Sequence, residues 1–452
     1  MDLTTEAVTA LAPDAASASA GKKLGRASAW KTLGGDATTL WGECQGSALY
    51  QVRIDRSTYT TACSCPSRKF PCKHALGLLY VAVGDGAALK GDQQPDWVVV
   101  WNAKRAATAE KREAKEQDKE KVTATETAPD AKTQSKRADK RAVAVGKGLA
   151  TLDLWLDDLM RGGLASVESQ PPSFWFDQAS RMVDAQAGGV AARLRRMAGI
   201  PHSSPDWPAR LLEALGSLAL LTEAYGRIDT LAPDLQEDVR QAIGWTLKED
   251  EVVARGEQVE DDWFVLGGYS FENEDDRLRT QRTWLLGVET GRVALVLQFA
   301  FGTAPFAMTL LTGSRRHAVL AFWPSAYPSR ALIKDGVTTS ARSTALPPAS
   351  PSLDAFLAQV AEATARRPWL ERCAGYLTQV VPVLTDERRW LVRDRAGKAA
   401  PLVRGDHWAL LASSGGHPVD LAVEWDGDAL RPLALGAHAR PSQSDDALRG
   451  EE

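Results

Sequence analysis

Residues 63–74 read "CSCPSRKFPCKH" and hold three of the five cysteines of the chain and one of its six histidines. Such a cluster can be a disulfide knot, a catalytic thiol site or a metal site. Five cysteines in 452 residues are too few for a disulfide framework, and their number is odd. A catalytic pair of Cys72 and His74 would lack an orienting group and would leave Cys63 and Cys65 unexplained. The cluster therefore predicts a metal site.

The spacing of the four side chains brings them around one ion. Cys63 and Cys65 follow an extended stretch, "ALYQVRIDRSTYTTAC", and residues two apart in a strand point to the same face. Within one helix, Cys72 and His74 would point roughly 200° apart. We therefore place Cys72 just before the helix "KHALGLLYVAV" and His74 in its first turn. Three thiolates and an imidazole suit tetrahedral zinc, and four protein ligands make a closed site, so we expect one structural Zn²⁺ ion.

Basic side chains surround this motif. Arg68, Lys69 and Lys73 lie within or beside it, where they favour the thiolate forms that zinc requires. From Lys22 to His74 there are nine Lys and Arg against three Asp and Glu, a formal charge of +6. A basic patch is the electrostatic footprint of phosphate binding and equally suits an acidic protein. Arg68, Lys69 and Lys73 are therefore the expected contacts to a nucleic acid or to a protein partner.

The remainder of the chain is acidic. Residues 1–141 carry 22 basic and 17 acidic side chains, a formal charge of +5. Because the whole chain carries −4, residues 142–452 carry −9. The protein is thus polarised between a basic finger end and an acidic body.

The motif C-x-C-P-x5-C-K-H, after strands and before an apolar helix, resembles the SWIM zinc finger, whose pattern is C-x-C, a variable loop and C-x-H. Cys63, Cys65, Cys72 and His74 match that pattern position by position, and the resemblance covers about residues 30–85. It implies a zinc-binding module that contacts DNA or protein.

A longer resemblance follows the finger. The segments "GKGLATLDLWLDDLMRGGLASV" and "FWFDQASRMVDAQAGGVAARLRRMAG" are similar to those of a bacterial SWIM family of about this length. Members of that family tend to be encoded beside MoxR-type AAA+ ATPases and von Willebrand A-domain proteins. The resemblance therefore implies partners of those two kinds, and it brings no catalytic residues.

Composition and periodicity divide the chain into six segments. Residues 102–141 have almost no large apolar side chain and mix 12 basic with 8 acidic residues between Lys104 and Arg141, which is typical of a solvated linker. Apolar residues then recur at helical spacing, and beyond residue 260 the period becomes that of strands. The predicted segments are 1–20, a disordered N-terminus; 21–100, the SWIM-type finger; 101–144, the charged linker; 145–250, a helical domain; 251–439, an α+β domain; and 440–452, a disordered tail.

The fold class predicted for the whole chain is α+β, with a small ββα-type zinc finger and a mainly antiparallel C-terminal sheet. "TWLLGVETGRVALVLQFAFG" indicates a hairpin, "RRHAVLAFWP" and "HWALLAS" indicate strands, and a helix is expected at about 353–367. The acidic stretches "EDDW" and "ENEDDR" lack the ligand spacing of a calcium loop and are interpreted as a solvated loop.

The sequence favours a cytoplasmic interaction protein without enzymatic activity. The start "MDLTTEAVTALAPD" lacks the features of a signal peptide, and no apolar run of about 18 residues predicts a membrane span. Phosphate-binding, dinucleotide-binding and hydrolase motifs are absent from the sequence, and adjacent Asp406 and His407 would face opposite sides of a strand. The alternatives are a nucleic-acid-binding regulator that uses the finger, and an enzyme with an unrecognised site in the C-terminal α+β region.

Overall fold

The computed structural model describes residues 4–12, 15–46, 48–56, 59–67, 71–89, 93–103, 131–272, 278–302, 304–338 and 348–436. These residues form helices and three antiparallel sheets, so the predicted α+β class is confirmed. The predicted tail at 440–452 lies outside the described residues.

A four-stranded antiparallel meander forms the first of the three sheets. Its strands are β1 (Trp30–Gly35), β2 (Thr39–Gln45), β3 (Leu49–Asp55) and β4 (Thr61–Cys63), and helix α3 (Lys73–Gly84) follows. The apolar face of the sheet and the helix enclose one core, which includes the buried side chains Leu40, Val52, Ile54, Leu76 and Leu79.

Two short helices precede the sheet, although residues 1–20 were predicted to be disordered. Helices α1 (Thr5–Ala10) and α2 (Ala15–Leu24) pack on α3, and the Val8 side chain is fully buried. Small residues allow the close approach, since a Cβ on Gly21 would lie 2.7 Å from the Cβ of Leu76. The Ala- and Ser-rich composition that suggested disorder is thus what lets these helices pack tightly.

Helical structure enters the predicted linker from both sides. Residues 96–103 form helix α4, whose Trp97 ring lies 5.5 Å from the guanidinium carbon of Arg53 on β3. Residues 104–130 lie outside the described residues, and helix α5 already begins at Ala131.

A helical bundle forms the middle of the chain. Its core is built from leucines at helical spacing along α5 and α8, together with Trp175 and Met182. The helices are α5 (Ala131–Gly162), α6 (Ser173–Asp184), α7 (Gly188–Met197), α8 (Trp207–Gly226) and α9 (Pro233–Ile243), followed by α10 (Glu249–Arg255). Gly163, with φ +79°, follows the last residue of α5 and ends that helix.

Two five-stranded sheets with the same connectivity complete the fold. The first has the order β7-β6-β5-β8-β9 and the second the order β12-β11-β10-β13-β14. In each, the third and fifth strands approach in parallel, through the bridges Leu295↔Arg330 and Leu402↔Leu430, so each sheet curls into a partly closed Greek-key barrel. The strands of barrel 1 are β5 (Gln258–Glu272), β6 (Leu278–Gly287), β7 (Val293–Phe301), β8 (Arg315–Phe322) and β9 (Ala331–Thr338). Those of barrel 2 are β10 (Cys373–Leu384), β11 (Trp390–Arg393), β12 (Ala399–Pro401), β13 (Val419–Trp425) and β14 (Leu430–Leu435).

The two barrels pack against each other through their outer faces. Leu266, Trp284 and Leu286 of barrel 1 meet Ala374, Tyr376 and Ala422 of barrel 2. Gly267 makes the approach tight, because its φ is +134° and a Cβ there would lie 3.1 Å from Leu433.

A buried carboxylate joins the barrels at the edge of this contact. The side chain of Glu424 on β13 is fully buried. It accepts hydrogen bonds from Trp284 Nε1 at 2.6 Å, Tyr269 Oη at 2.8 Å and Arg372 at 2.7 Å, and it pairs with Arg282 at 3.5 Å. Two arginines and two neutral donors thus compensate the negative charge of Glu424, as a buried ion requires.

The finger contacts barrel 1. Leu311, in the segment between β7 and β8, is only 4% exposed and belongs to the hydrophobic core of the finger. Beside it a cleft of 280 Å³ opens between finger residues that include Tyr59 and Pro71 and barrel residues that include Arg279 and Thr283. The finger is therefore docked on the body.

Two local predictions in the C-terminal region need correction. "HWALLAS" was expected to be a strand but forms helix α12 (Trp408–Ser414), because Asp406 accepts from the Trp408 amide and Gly415 ends the helix in the left-handed conformation. The acids of "EDDW" lie on β5, and not in a loop. Buried Asp261 accepts hydrogen bonds from the amides of Glu289 and Thr290 and so anchors the β6–β7 turn.

The helix expected at about 353–367 is confirmed as α11 (Leu353–Arg366).

His317 on β8 should titrate above its ordinary range. Its two ring nitrogens lie 3.0 Å from Glu260 and 3.0 Å from Asp262, and these hydrogen bonds raise the pKa of His317. A raised folded-state pKa means that the pairs contribute stability below the unfolded value of about 6.5, and that this contribution is lost as the pH rises through the folded value. NMR titration should show this pKa falling back in a Glu260→Gln, Asp262→Asn variant. An unchanged pKa would show that the two carboxylates do not act on the ring.

Candidate metal centre

The four predicted ligands come together where the sheet meets helix α3. Cys63 is the last residue of β4 and pairs with Val52 of β3, which fixes its direction. Cys72 is the N-cap of α3, in extended conformation with φ −72° and ψ 164°, and His74 lies in the first turn. This placement was predicted from the sequence, because Cys72 and His74 would point away from each other if both lay within the helix.

The donor atoms form a compact group. The three sulfur atoms and a ring nitrogen of His74 all lie within 4.8 Å of one another. The Sγ of Cys63 is 3.8 Å from Nδ1 of His74. With bonds of about 2.3 Å to sulfur and about 2.0 Å to nitrogen, a tetrahedral zinc site has edges of roughly 3.5–3.8 Å. The distance from Cys63 Sγ to His74 Nδ1 matches such an edge, so Nδ1 is the ring nitrogen that faces the cluster.

Backbone amides point at the three sulfurs. The amide of Cys65 donates to the Cys63 thiol, the amide of Ser67 to Cys65, and the amide of Ala75 to Cys72 at 3.5 Å. Each of these bonds favours the charged form of the sulfur, which is the form that a metal binds.

Without metal the three thiols share charge unequally. A hydrogen bond from the Cys63 thiol lowers the pKa of Cys72 to about 4, against the opposing effect of burial, and the same bond raises the pKa of Cys63. Burial raises the pKa of Cys65. The Cys72 sulfur therefore favours the thiolate form, and binding of a divalent ion displaces protons from the cluster.

The imidazole of His74 is buried and packs against the ring of Tyr50. His74 is only 4% exposed, and its ring centroid lies 4.8 Å from that of Tyr50 on β3. Tyr50 was not singled out from the sequence, because its contact with the ligand depends on how β3 and α3 pack and leaves no local signal. With four donors of the types that zinc prefers, partly or fully buried, the site fits one structural zinc ion.

The predicted contact residues are only partly described. Lys73 is exposed in the first turn of α3. Arg68 and Lys69 lie outside the described residues, so their role stays a prediction.

Comparisons with protein-family models agree with this site. Residues 50–82 match the SWIM zinc finger, and residues 140–243 match the SWIM-associated four-helix bundle domain. The first match contains all four ligands, and the second runs from within α5 to the end of α9. The resemblance to SWIM zinc finger proteins is thereby confirmed. Searches among curated proteins and solved structures gave no match.

Across the described part of the chain, no helix combines the length and the apolar character needed to cross a membrane.

Proposed function

We propose that this chain, which joins a SWIM zinc finger to its associated helical bundle, is a non-enzymatic interaction protein that recognises a protein partner through the finger. The observation that carries the proposal is the closed centre of Cys63, Cys65, Cys72 and His74, whose donors are all supplied by protein. A catalytic zinc needs an open coordination position, whereas a closed one holds a fold together.

The charge distribution supports a partner with an acidic surface. The finger segment carries +6 and the rest of the chain beyond residue 141 carries −9, so the two ends attract different surfaces. Lys73 presents its exposed ammonium beside the metal centre. The family resemblance adds the partners that we propose, a MoxR-type AAA+ ATPase and a von Willebrand A-domain protein, in the cytoplasm of a bacterium.

Affinity capture from native cells, with nuclease treatment, tests this proposal. The tagged full chain should retain its partners after nuclease, and a variant with Arg68, Lys69 and Lys73 replaced by Gln should lose them. The matched control carries Lys147→Gln, Arg161→Gln and Arg227→Gln, which remove the same charge from exposed positions on the bundle. Partners that disappear with nuclease, or equal loss in both variants, would contradict recognition of protein by the finger.

The second candidate is a nucleic-acid-binding regulator, and the +6 charge of the finger segment favours it. Binding of this kind is sequence-tolerant and salt-sensitive, and each phosphate contact adds roughly 0.9 to the slope of log affinity against log salt. Replacing Arg68, Lys69 and Lys73 by Gln should therefore flatten the slope measured with duplex DNA. A salt-independent complex, or no binding at low salt, would exclude this candidate.

For the C-terminal region we propose no catalytic role. Asp406 accepts a hydrogen bond from the Trp408 amide at 2.9 Å, and a ring nitrogen of His407 lies 2.8 Å from the Val403 carbonyl oxygen. Both side chains are thus engaged in shaping the start of α12.

A further inference from the structure

The outer face of strands β5, β6 and β7 in barrel 1 is unusually apolar. Side chains alternate along each strand, so residues that pair with each other across the strands share one face. The ladder pairs Phe271 with Thr280, Thr280 with Phe299, and Leu278 with Phe301. We call these residues, together with Tyr269, the aromatic face.

Three rings of this face reach solvent. Phe271 is 40% exposed, Phe299 52% and Phe301 66%, whereas Thr280 between the first two is only 6% exposed. Single exposed apolar side chains are ordinary on a protein surface, whereas clusters of them mark binding sites. The three exposed rings therefore indicate a binding site. Phe299 and Phe301 are two residues apart on one strand, or about 7 Å, so their rings can meet two consecutive flat groups of a ligand.

Arginines border the rings. The guanidinium of Arg282 lies 5.7 Å from the ring of Tyr269 and 5.8 Å from that of Phe271, and that of Arg431 lies 4.7 Å from Tyr269. Arg282 also pairs with buried Glu424, which fixes its position. Aromatic rings with guanidinium groups beside them are what single-strand binders use to stack bases and hold the backbone.

The connectivity of the barrel points to the same ligand. Four strands in the spatial order β8-β5-β6-β7 form a Greek key, and β9 adds beside β8 and closes on β7. A five-stranded Greek-key barrel of this kind is of the OB type, which binds oligonucleotides and oligosaccharides on the face of its second and third strands, and the arginines beside the rings favour the anionic class. In this chain those strands are β6 and β7, which carry Leu278, Thr280, Phe299 and Phe301.

We propose that the aromatic face of barrel 1 binds single-stranded nucleic acid by base stacking. The site is separate from the zinc finger. The neighbouring sequence "ENEDDR" at 272–277 is acidic, and Arg282 and Arg431 supply only two positive charges. Stacking must therefore provide most of the affinity. Each phosphate contact on a single strand adds roughly 0.7 to the slope of log affinity against log salt, so two contacts should give a slope no steeper than about −1.5.

Fluorescence anisotropy with the full-length, zinc-loaded protein tests the proposal. The probes are labelled oligo-dT and oligo-rU of about 12 nucleotides, within the usual site size of such barrels, and a duplex of equal length. We expect the single strands to bind at least about tenfold more tightly than the duplex. Phe299→Ala and Phe301→Ala should each weaken binding by roughly fivefold to a hundredfold.

Two controls locate the site. Phe176→Ala removes a ring that is 45% exposed on the helical bundle and should leave the affinity unchanged. Replacing Arg68, Lys69 and Lys73 by Gln should also leave single-strand binding unchanged, which separates this proposal from recognition by the finger.

Three results would overturn the proposal: equal affinity for duplex, affinity unchanged by both Phe variants, or no binding of either single strand. Sedimentation of the Phe299→Ala, Phe301→Ala double variant would then show whether the face joins two copies of the chain. If only the wild type self-associates and it binds no oligonucleotide, the face is a protein interface.

Discussion

Chelation of zinc is expected to unfold the finger while the bundle and barrels keep their fold. Binding of a structural zinc supplies on the order of 10 kcal/mol to a small unit that has no preformed site when unfolded. Hydrogen exchange should therefore show loss of protection in β2, β3 and α3, while α8, β5 and β10 remain protected. The docked segment around Leu311 should also lose protection, because Leu311 is buried in the finger core.

Cysteine variants separate the metal from other effects. Metal analysis should find about one zinc per chain, and Cys72→Ser should lose most of it. Cys373→Ser is the matched control, because burial raises the pKa of the Cys373 thiol to about 11 and the residue lies on β10, outside the cluster. Full zinc content in Cys72→Ser would refute the ligand assignment, and loss of protection throughout the barrels would refute a finger that unfolds by itself.

Replacement of Glu424 by Ala should cost about 3–5 kcal/mol in the free energy of unfolding, because it leaves the partly buried Arg372 and Arg282 without their counter-ion. The effect should appear as a lower midpoint of urea unfolding for the paired barrels. Glu257→Ala is the matched control. It breaks the pair with Arg292 at 3.0 Å, but the Glu257 side chain is 51% exposed, so the cost should not exceed about 1 kcal/mol. Equal costs for the two variants would mean that the Glu424 network adds nothing beyond a surface ion pair.

The metal site was predictable from the sequence because its determinants are local. All four ligands fall within twelve residues, and the geometry of a strand end and a helix start places them around one point. The helices of the bundle were also predictable, since each has its own amphipathic period.

Short segments were harder to predict because their apolar pattern is ambiguous. "HWALLAS" fits a strand as well as a helix, and the hydrogen bond from the Trp408 amide to Asp406 and the left-handed Gly415 favour the helix. The N-terminal helices α1 and α2 are stabilised by packing on α3, and their own composition gives little sign of it.

Contacts between distant parts of the chain left no signal in the sequence. Glu424 is one acid among 58 acidic residues, and only the packing of the two barrels makes it a buried partner of Arg372 and Tyr269. The aromatic face likewise depends on the register that sets Phe271, Thr280 and Phe299 side by side.

The docking of Leu311 into the finger core has a consequence for how the protein is made. Leu76 and Leu311 share this core although 235 positions separate them along the chain. At about 5–20 residues per second, the ribosome needs roughly 12–50 s to travel from one to the other. The finger can acquire its zinc during that interval, but its apolar docking surface stays uncovered until barrel 1 emerges. Newly made chains thus pass through a period in which this surface is open to chaperones and to wrong partners.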